Sequence, residues 1–255
     1  MMALENSTHP PQNILITGAA GAIGQTIAPY LRQRGHQVRG LDRSPMPHMA
    51  DTIQANLADA EAVQRAAQGM DVVLHLGAYR NNADFMDVLL EPNVVGLYNV
   101  CEAARLAGVK RLVLASTLQV VDGFDAATAP IHIADGPRPI NHYALTKLWA
   151  EEMGAMYARG HNLAVLNVRV GWFARDAAMT QRIGQSERGR DIYFSQRDAQ
   201  HFFARAVESA QPQPGECITV FATSRPTHQR RLDLEPARQH LGYEPLDQWP
   251  DGSPP

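Results

Sequence analysis

Ile14-Leu15-Ile16-Thr17-Gly18-Ala19-Ala20-Gly21-Ala22-Ile23-Gly24 is a short apolar run that breaks into glycines at 18, 21 and 24. It reads as a strand, a tight turn and the start of a helix. Glycines there allow positive φ and close backbone approach, and a helix N-terminus presents unpaired N–H groups and the positive end of its dipole to an anion. The next apolar stretch, Gln37–Leu41, ends at Asp42, where a carboxylate can take the ribose hydroxyls of a dinucleotide. Gly18, Ala20, Gly21, Ala22, Ile23 and Gly24 are therefore the expected pyrophosphate cradle. Asp42 favours NAD, because its charge repels a 2′-phosphate. Arg43 beside it is the residue that could accept one.

Outward from this turn the pattern repeats. Asn13–Thr17, Gln37–Leu41, Asp71–His75, Arg111–Ala115 and Leu163–Val168 read as buried strands, and Ala22–Arg34, Asp59–Gln68, Asn93–Ala107 and Tyr143–Arg159 as helices between them. Pro92 is expected to break Phe85–Leu90 from the third helix. This alternation predicts an α/β doubly wound parallel sheet over residues 13–170, with ligands at the carboxyl ends of the strands. Residues 171–249 are expected to form a small C-terminal substrate cap interleaved with the main domain, with a helix over Arg197–Ser209, a short strand over Cys217–Phe221 and a helix near Asp233–Leu241. The aromatic group Tyr193, Phe194, Phe202 and Phe203 is assigned to cap packing. Residues 1–12 and the Pro-rich 250–255 are expected to be flexible ends.

The chain has 255 residues, a net charge of −3 and two distant cysteines, Cys101 and Cys217, outside any metal-ligand or disulfide spacing. The absence of a basic block argues against nucleic acid. No apolar run of membrane-spanning length or secretory segment is present, and a reducing, cytoplasmic setting is expected. His75 at a strand end, and His132, His142 and His161 without partner spacing, give no metal site; His142 could line the pocket.

A second constellation is Tyr143-Ala144-Leu145-Thr146-Lys147, where a spacing of four puts a phenol and an ammonium on one helix face. A cation beside a phenol favours the phenolate and so a base that works nearer neutrality. Ser116-Thr117, ending the preceding strand, supplies hydroxyls that can hold a substrate oxygen.

Through Gly18-x-x-Gly21-x-x-Gly24, Asp42, His75-Leu76-Gly77-Ala78, Ser116-Thr117 and Tyr143-x-x-x-Lys147, the chain resembles the extended short-chain dehydrogenase/reductase (NAD-dependent epimerase/dehydratase) family, a Rossmann-type fold. Within that family it looks most like the uronate dehydrogenases, through Asn56–Ala60, Asn93–Asn99, Glu102–Arg105, Val168–Gly171 and Tyr193–Asp198, and through its short length.

The resemblance implies Tyr143 as the base that takes the substrate hydroxyl proton as hydride passes to NAD. Lys147 would bind the nicotinamide ribose and lower the tyrosine pKa. Thr117 would be the substrate-holding hydroxyl, with Ser116 its stand-in. Asn56 and Leu57 would flank the adenine, and Leu76, Gly77 and Ala78 the ribose-diphosphate. Asn93 would brace the helices behind the site. The chain departs from the uronate dehydrogenases at Thr117-Leu118-Gln119, where they carry Ser-Asn-His, and at Trp172, where they carry serine. The carboxylate-clamping arginine corresponds to Arg175 or Arg182.

The implied activity is oxidation of a sugar or sugar acid at the anomeric hydroxyl to a lactone. The alternatives are an NAD-retaining sugar epimerase or dehydratase and a non-catalytic NAD-sensing module. The helices Asn93–Ala107 and Tyr143–Arg159 pair between subunits in this family, so a homo-oligomer is expected. Leu97, Cys101, Met153 and Met156 are open to either the chain's own sheet or a partner.

Overall fold

The computed structural model describes residues 10–254. In chain order it contains β1 (Asn13–Thr17), α1 (Ala22–Gln33), β2 (Gln37–Asp42), β3 (Asp51–Gln54), α2 (Ala60–Ala67), β4 (Val72–His75), α3 (Gly96–Leu106), β5 (Arg111–Thr117), α4 (His142–His161) and β6 (Ala164–Val170). There follow β7 (Trp172–Phe173), α5 (Ala177–Gly184), α6 (Glu187–Asp191), β8 (Tyr193–Phe194), α7 (Gln196–Glu208), β9 (Cys217–Ala222) and α8 (Glu235–Leu241). Seven strands form one parallel sheet in the order β3-β2-β1-β4-β5-β6-β9. The doubly wound α/β expectation holds.

Alternate residues of β1 explain the two layers. Ile14 and Ile16 face a core with Ile27 and Leu31 of α1 and Phe202 and Phe203 of α7, whereas Leu15 faces Val63 of α2, Val100 of α3 and Ala150 and Tyr157 of α4. The chain runs outward from β1 to β3, then returns to β4 on the other side. That reversal opens a crevice at the carboxyl ends of β1 and β4, where Thr17 is in register with His75.

Several expectations need correction. The strand β3 carries only one partly buried residue, Ile53, so it lacks the apolar run by which the other strands are read. Pro92 does not break the helix before α3. Phe85–Leu89 and Glu91–Val95 form two π-helical turns leading into α3, and Pro92 sits near the start of the second, with Leu90 before it still helical (φ −58, ψ −52).

Two elements assigned to the cap belong to the main layers: β9 pairs with β6 from Cys217 to Ala222, and α7 packs beside α1. Phe194, Phe202 and Phe203 accordingly lie in the main core, in edge-to-face pairs, rather than in a separate cap core. Of the segment expected to form the cap, α5, α6 and the two-stranded β7–β8 ladder lie outside the main sheet. Residues 250–252, expected to fray, are held by bonds from the Tyr193 hydroxyl to Asp251 O (2.9 Å) and from Gln196 N to Gly252 O (3.3 Å). The expected flexibility of 1–12 falls largely on residues 1–9, outside those described.

Candidate active site

Gly18 adopts φ +71, and a Cβ on it would lie 2.6 Å from Gly77 N and 2.7 Å from Gly77 Cα. Only glycine lets the first turn close onto the strand β4 exit. A Cβ at Gly24 would press within 2.7 Å of Gly18 O, so the turn and α1 also meet through bare backbone. Gly21 is the N-cap of α1 and supplies no side-chain cap; a Cβ there would meet only Gly18 O, at 3.0 Å. The first-turn N–H groups of α1 therefore stay available at a cavity wall formed by Gly18, Gly21, Ala22, Ile23 and Gly24.

Asp42 ends β2 beside this turn. Its Oδ2 accepts from Ala20 N (3.0 Å) and its Oδ1 from Ser44 N (2.9 Å), so the backbone orients the carboxylate while each oxygen keeps a lone pair for a hydroxyl. An open helix N-terminus with an oriented acid one strand away fits the pyrophosphate and ribose of a dinucleotide. Arg43 is exposed on the loop beyond. Ala20 is turned to Asp42 rather than to the cavity.

The cavity, about 550 Å³, continues from this cradle over the ends of β4, β5 and β6. Leu76 and Ala78 line it; Gly77 backs onto Gly18 and Leu57. Thr17 Oγ1 shares a 2.7 Å hydrogen bond with His75 Nδ1 and accepts from Gly77 N at 3.3 Å. Burial, with the charge of Lys147 nearby, pushes the His75 imidazole down to about 3, so it is neutral and supports the backbone. Asn56 donates to Glu91 Oε1 (2.9 Å), and Leu57 O accepts from Asn99 (2.8 Å).

At the inner end Thr117, Tyr143 and Lys147 converge. Lys147 Nζ donates to Ala115 O (3.0 Å) and lies 5.9 Å from the Tyr143 ring centre. Burial lowers the Lys147 ammonium to about 8. Burial also pushes the Tyr143 phenol up to about 12, and the hydrogen bond from Thr117 pulls it only part of the way back. The lysine-driven lowering expected from spacing alone is not found: desolvation dominates, and the contact that opposes it is with Thr117.

Asn93 accepts from Tyr79 N (2.7 Å) and donates to Tyr79 O (3.1 Å) and Thr146 Oγ1 (3.0 Å), tying the loop after β4 to the helix turn that carries Tyr143 and Lys147. Ser116, expected as a second substrate-holding hydroxyl, instead donates to Glu151 Oε1 at 2.5 Å. Glu151 is one helical turn beyond Lys147 and is clasped by Arg169 through Nε (3.0 Å) and Nη2 (2.9 Å), all three side chains being buried. A spacing of four from Lys147 was the only sequence signal for Glu151.

The outer end is lined by Leu118, Gln119, Asp122, Trp172, Met179 and the arginines 175, 182 and 188. Gln119 Oε1 accepts from Asn141 (2.9 Å). Arg175 pairs with Asp176 (3.2 Å) and Arg188 with Asp122, a contact across 66 residues of chain that no motif announces. Arg182 lies over the Trp172 ring, 5.9 Å from its centre, and has no carboxylate partner among the described residues. His142 sits against Phe85, outside this cavity. No group of three metal-ligating side chains occurs among the described residues, and none of their helices is long and apolar enough to cross a membrane.

Residues 14–173 match the family model for the NAD dependent epimerase/dehydratase family. The chain belongs to that family. NAD is its cofactor, and it is an oxidoreductase of the short-chain dehydrogenase type. Among the curated relatives of this epimerase/dehydratase-family protein, L-arabinose 1-dehydrogenase (NAD(P)(+)) of Haloferax volcanii is 30% identical over 253 residues, covering 92% of this chain and 96% of its own. Uronate dehydrogenase of Pseudomonas syringae pv. tomato is 34% identical over 175 residues, covering 67% of this chain and 63% of its own. Among solved structures, a tyrosine-to-alanine variant of uronate dehydrogenase from Agrobacterium tumefaciens complexed with NAD superposes with a TM-score of 0.79 at 25% identity, covering 96% of this chain and 91% of that one.

Proposed function

We propose that this protein oxidises the anomeric hydroxyl of a sugar acid to a lactone, with NAD as acceptor. The observation that carries the reading is the unpaired Arg182 fork above Trp172, in the same cavity as Thr117, Tyr143 and Lys147. A guanidinium without a protein counter-ion is suited to a substrate carboxylate, which it can hold bidentately. Arg175 and Arg188 already have acids; of the two remaining arginines in the wall, Arg80 and Arg182, it is Arg182 that lies over the Trp172 ring, and it is therefore taken, rather than Arg175, as the carboxylate clamp.

In this reading Thr117 holds the reacting oxygen and Tyr143 takes its proton. Lys147, fixed on Ala115 O, orients the cofactor's nicotinamide ribose beside them. Gly18 to Gly24 hold the pyrophosphate, and Asp42 the adenosine ribose, while Asn56 and Leu57 flank the adenine and Leu76 to Ala78 the ribose-diphosphate. NAD, when bound, supplies the hydride acceptor and the positive charge that lowers the phenol's pKa. Ser116 acts behind the site through Glu151.

A neutral aldose is the second reading, favoured by the full-length similarity to the Haloferax arabinose dehydrogenase and by the apolar Leu118 and Trp172 in the wall. NADH formation with glucuronate, galacturonate and neutral aldoses separates the two. Turnover of uronates is expected, with Arg182→Met raising KM for them about 30-fold and leaving any aldose activity alone. Turnover of aldoses only would overturn the sugar-acid reading.

The protein is also proposed to pair with a second copy. Leu97 and Cys101 are buried against its own sheet and Met153 packs partly against it, whereas Val95, Tyr98 and Leu106 and, on α4, Leu145, Trp149 and Met156 leave exposed apolar faces. Light scattering should return a dimer mass, and a monomer for Trp149→Glu. A monomeric wild type would remove the proposal.

A further inference from the structure

The residues after α8 return to the cap. Asp247 is buried, accepts from Ser195 Oγ (2.6 Å), and donates its N–H to Asp198 Oδ2 (3.1 Å) at the start of α7. Its carbonyl accepts from Arg225 N (2.8 Å). With the bonds to Asp251 and Gly252 described above, residues 246–252 form a strap anchored on both sides of Trp249 by β8, the start of α7 and the segment after β9.

Trp249 reaches from that strap to α5. Its Nε1–H donates to Thr180 O at 3.2 Å, and its ring lies so close to Gly184 that a Cβ there would overlap it. Arg190 closes the contact, with its guanidinium 5.7 Å from the indole centre and Nη1 donating to Gly184 O at 2.6 Å. Of the α5 residues only Met179 and Ile183 are buried, and they share a small apolar cluster with Ala174, Tyr193, Trp172 and Trp249. An eight-residue helix with two buried side chains has little to hold it in place by itself. Yet α5 carries Met179 and Arg182 into the cavity.

We propose that Trp249 is a positioning residue for substrate specificity: through Thr180 and Gly184 it sets where α5 places Arg182 and Met179 against the sugar, without touching substrate or cofactor. The inference rests on the reading that α5 forms the sugar-facing wall. A shift of about 1 Å in a binding group weakens its contribution steeply.

The test compares Trp249→Ala, Trp249→Phe and Gly184→Ala with wild type, using the sugar that wild type turns over. Trp249→Ala is expected to raise KM for that sugar about tenfold with kcat within about twofold, while NADH binding measured by fluorescence is unchanged. Trp249→Phe, which keeps a ring against Gly184, should recover part of the loss. Gly184→Ala pushes on the same contact from the other side and should reproduce the KM effect even if Trp249→Ala fails to fold.

Hydrogen exchange should also quicken in Ala177–Gly184 of the variants and not in α4. An unchanged KM, or a parallel fall in kcat and NADH affinity, would overturn the proposal, as would unchanged exchange in α5. A wild type inactive on every sugar would instead sink the sugar-oxidising reading, and the exchange measurement would still decide for or against the strap.

Discussion

Tyr143→Phe is expected to lower kcat about 1000-fold, the range for removing a positioned general base, while NADH binds with nearly unchanged affinity. The phenol is buried, bonded to Thr117 and close to Lys147, so phenylalanine fills the same space and deletes only the hydroxyl. The Gly18–Gly24 cradle and Asp42 lie on other strands and do not depend on it. Initial rates of NADH formation, with NADH titration by fluorescence on the same preparation, check both halves. A variant that keeps more than a few per cent of wild-type turnover removes Tyr143 from the base role.

The second large effect concerns stability. Glu151→Gln leaves Arg169, 3% exposed, without a counter-ion, and its Nη1 already has no partner among the described residues. Breaking one side of a buried ion pair costs about 3–5 kcal/mol, because the remaining charge stays desolvated. In a chain of this size that corresponds to a fall of about 10 °C in Tm. Ser116 also loses a charged acceptor, so the end of β5 next to Thr117 loosens. Replacing both partners, as Glu151→Leu with Arg169→Met, should restore most of the stability, since no unpaired charge remains. Thermal melts of the single and double variants test this; a single variant melting within about 2 °C of wild type would show that the pair contributes little.

The parts of the molecule that could be read from the chain are those whose cause is local. Each central strand announces itself because both of its faces are buried, so a parallel strand such as β1 or β5 is a continuous apolar run. The edge strand β3 has one partly buried residue and leaves no such trace, and β7 and β8 are too short for any period to show. The π turns before α3 were hidden because Pro92 carries the same helix-breaking signature whether the chain stops or widens its turn.

The cradle glycines, Asp42 and the Tyr143–Lys147 pair obey spacings set by one turn or one helix face. Ser116 and Thr117, by contrast, are adjacent hydroxyls in sequence, and the alternation of a strand sends them to opposite partners, Glu151 and Tyr143.

The doubly wound sheet, its switch-point crevice and the dinucleotide cradle thus follow from periodicity and short spacing, which act over a few residues and survive any arrangement of the rest. Which cavity arginines are paired with acids, which partner the Ser116 hydroxyl takes, and how residues 246–252 grip α5 depend on contacts between segments 35 to 69 residues apart. Those contacts are chosen by packing and charge pairing in three dimensions, where the nearest acid to Arg188 is Asp122 and the nearest ring to Gly184 is that of Trp249.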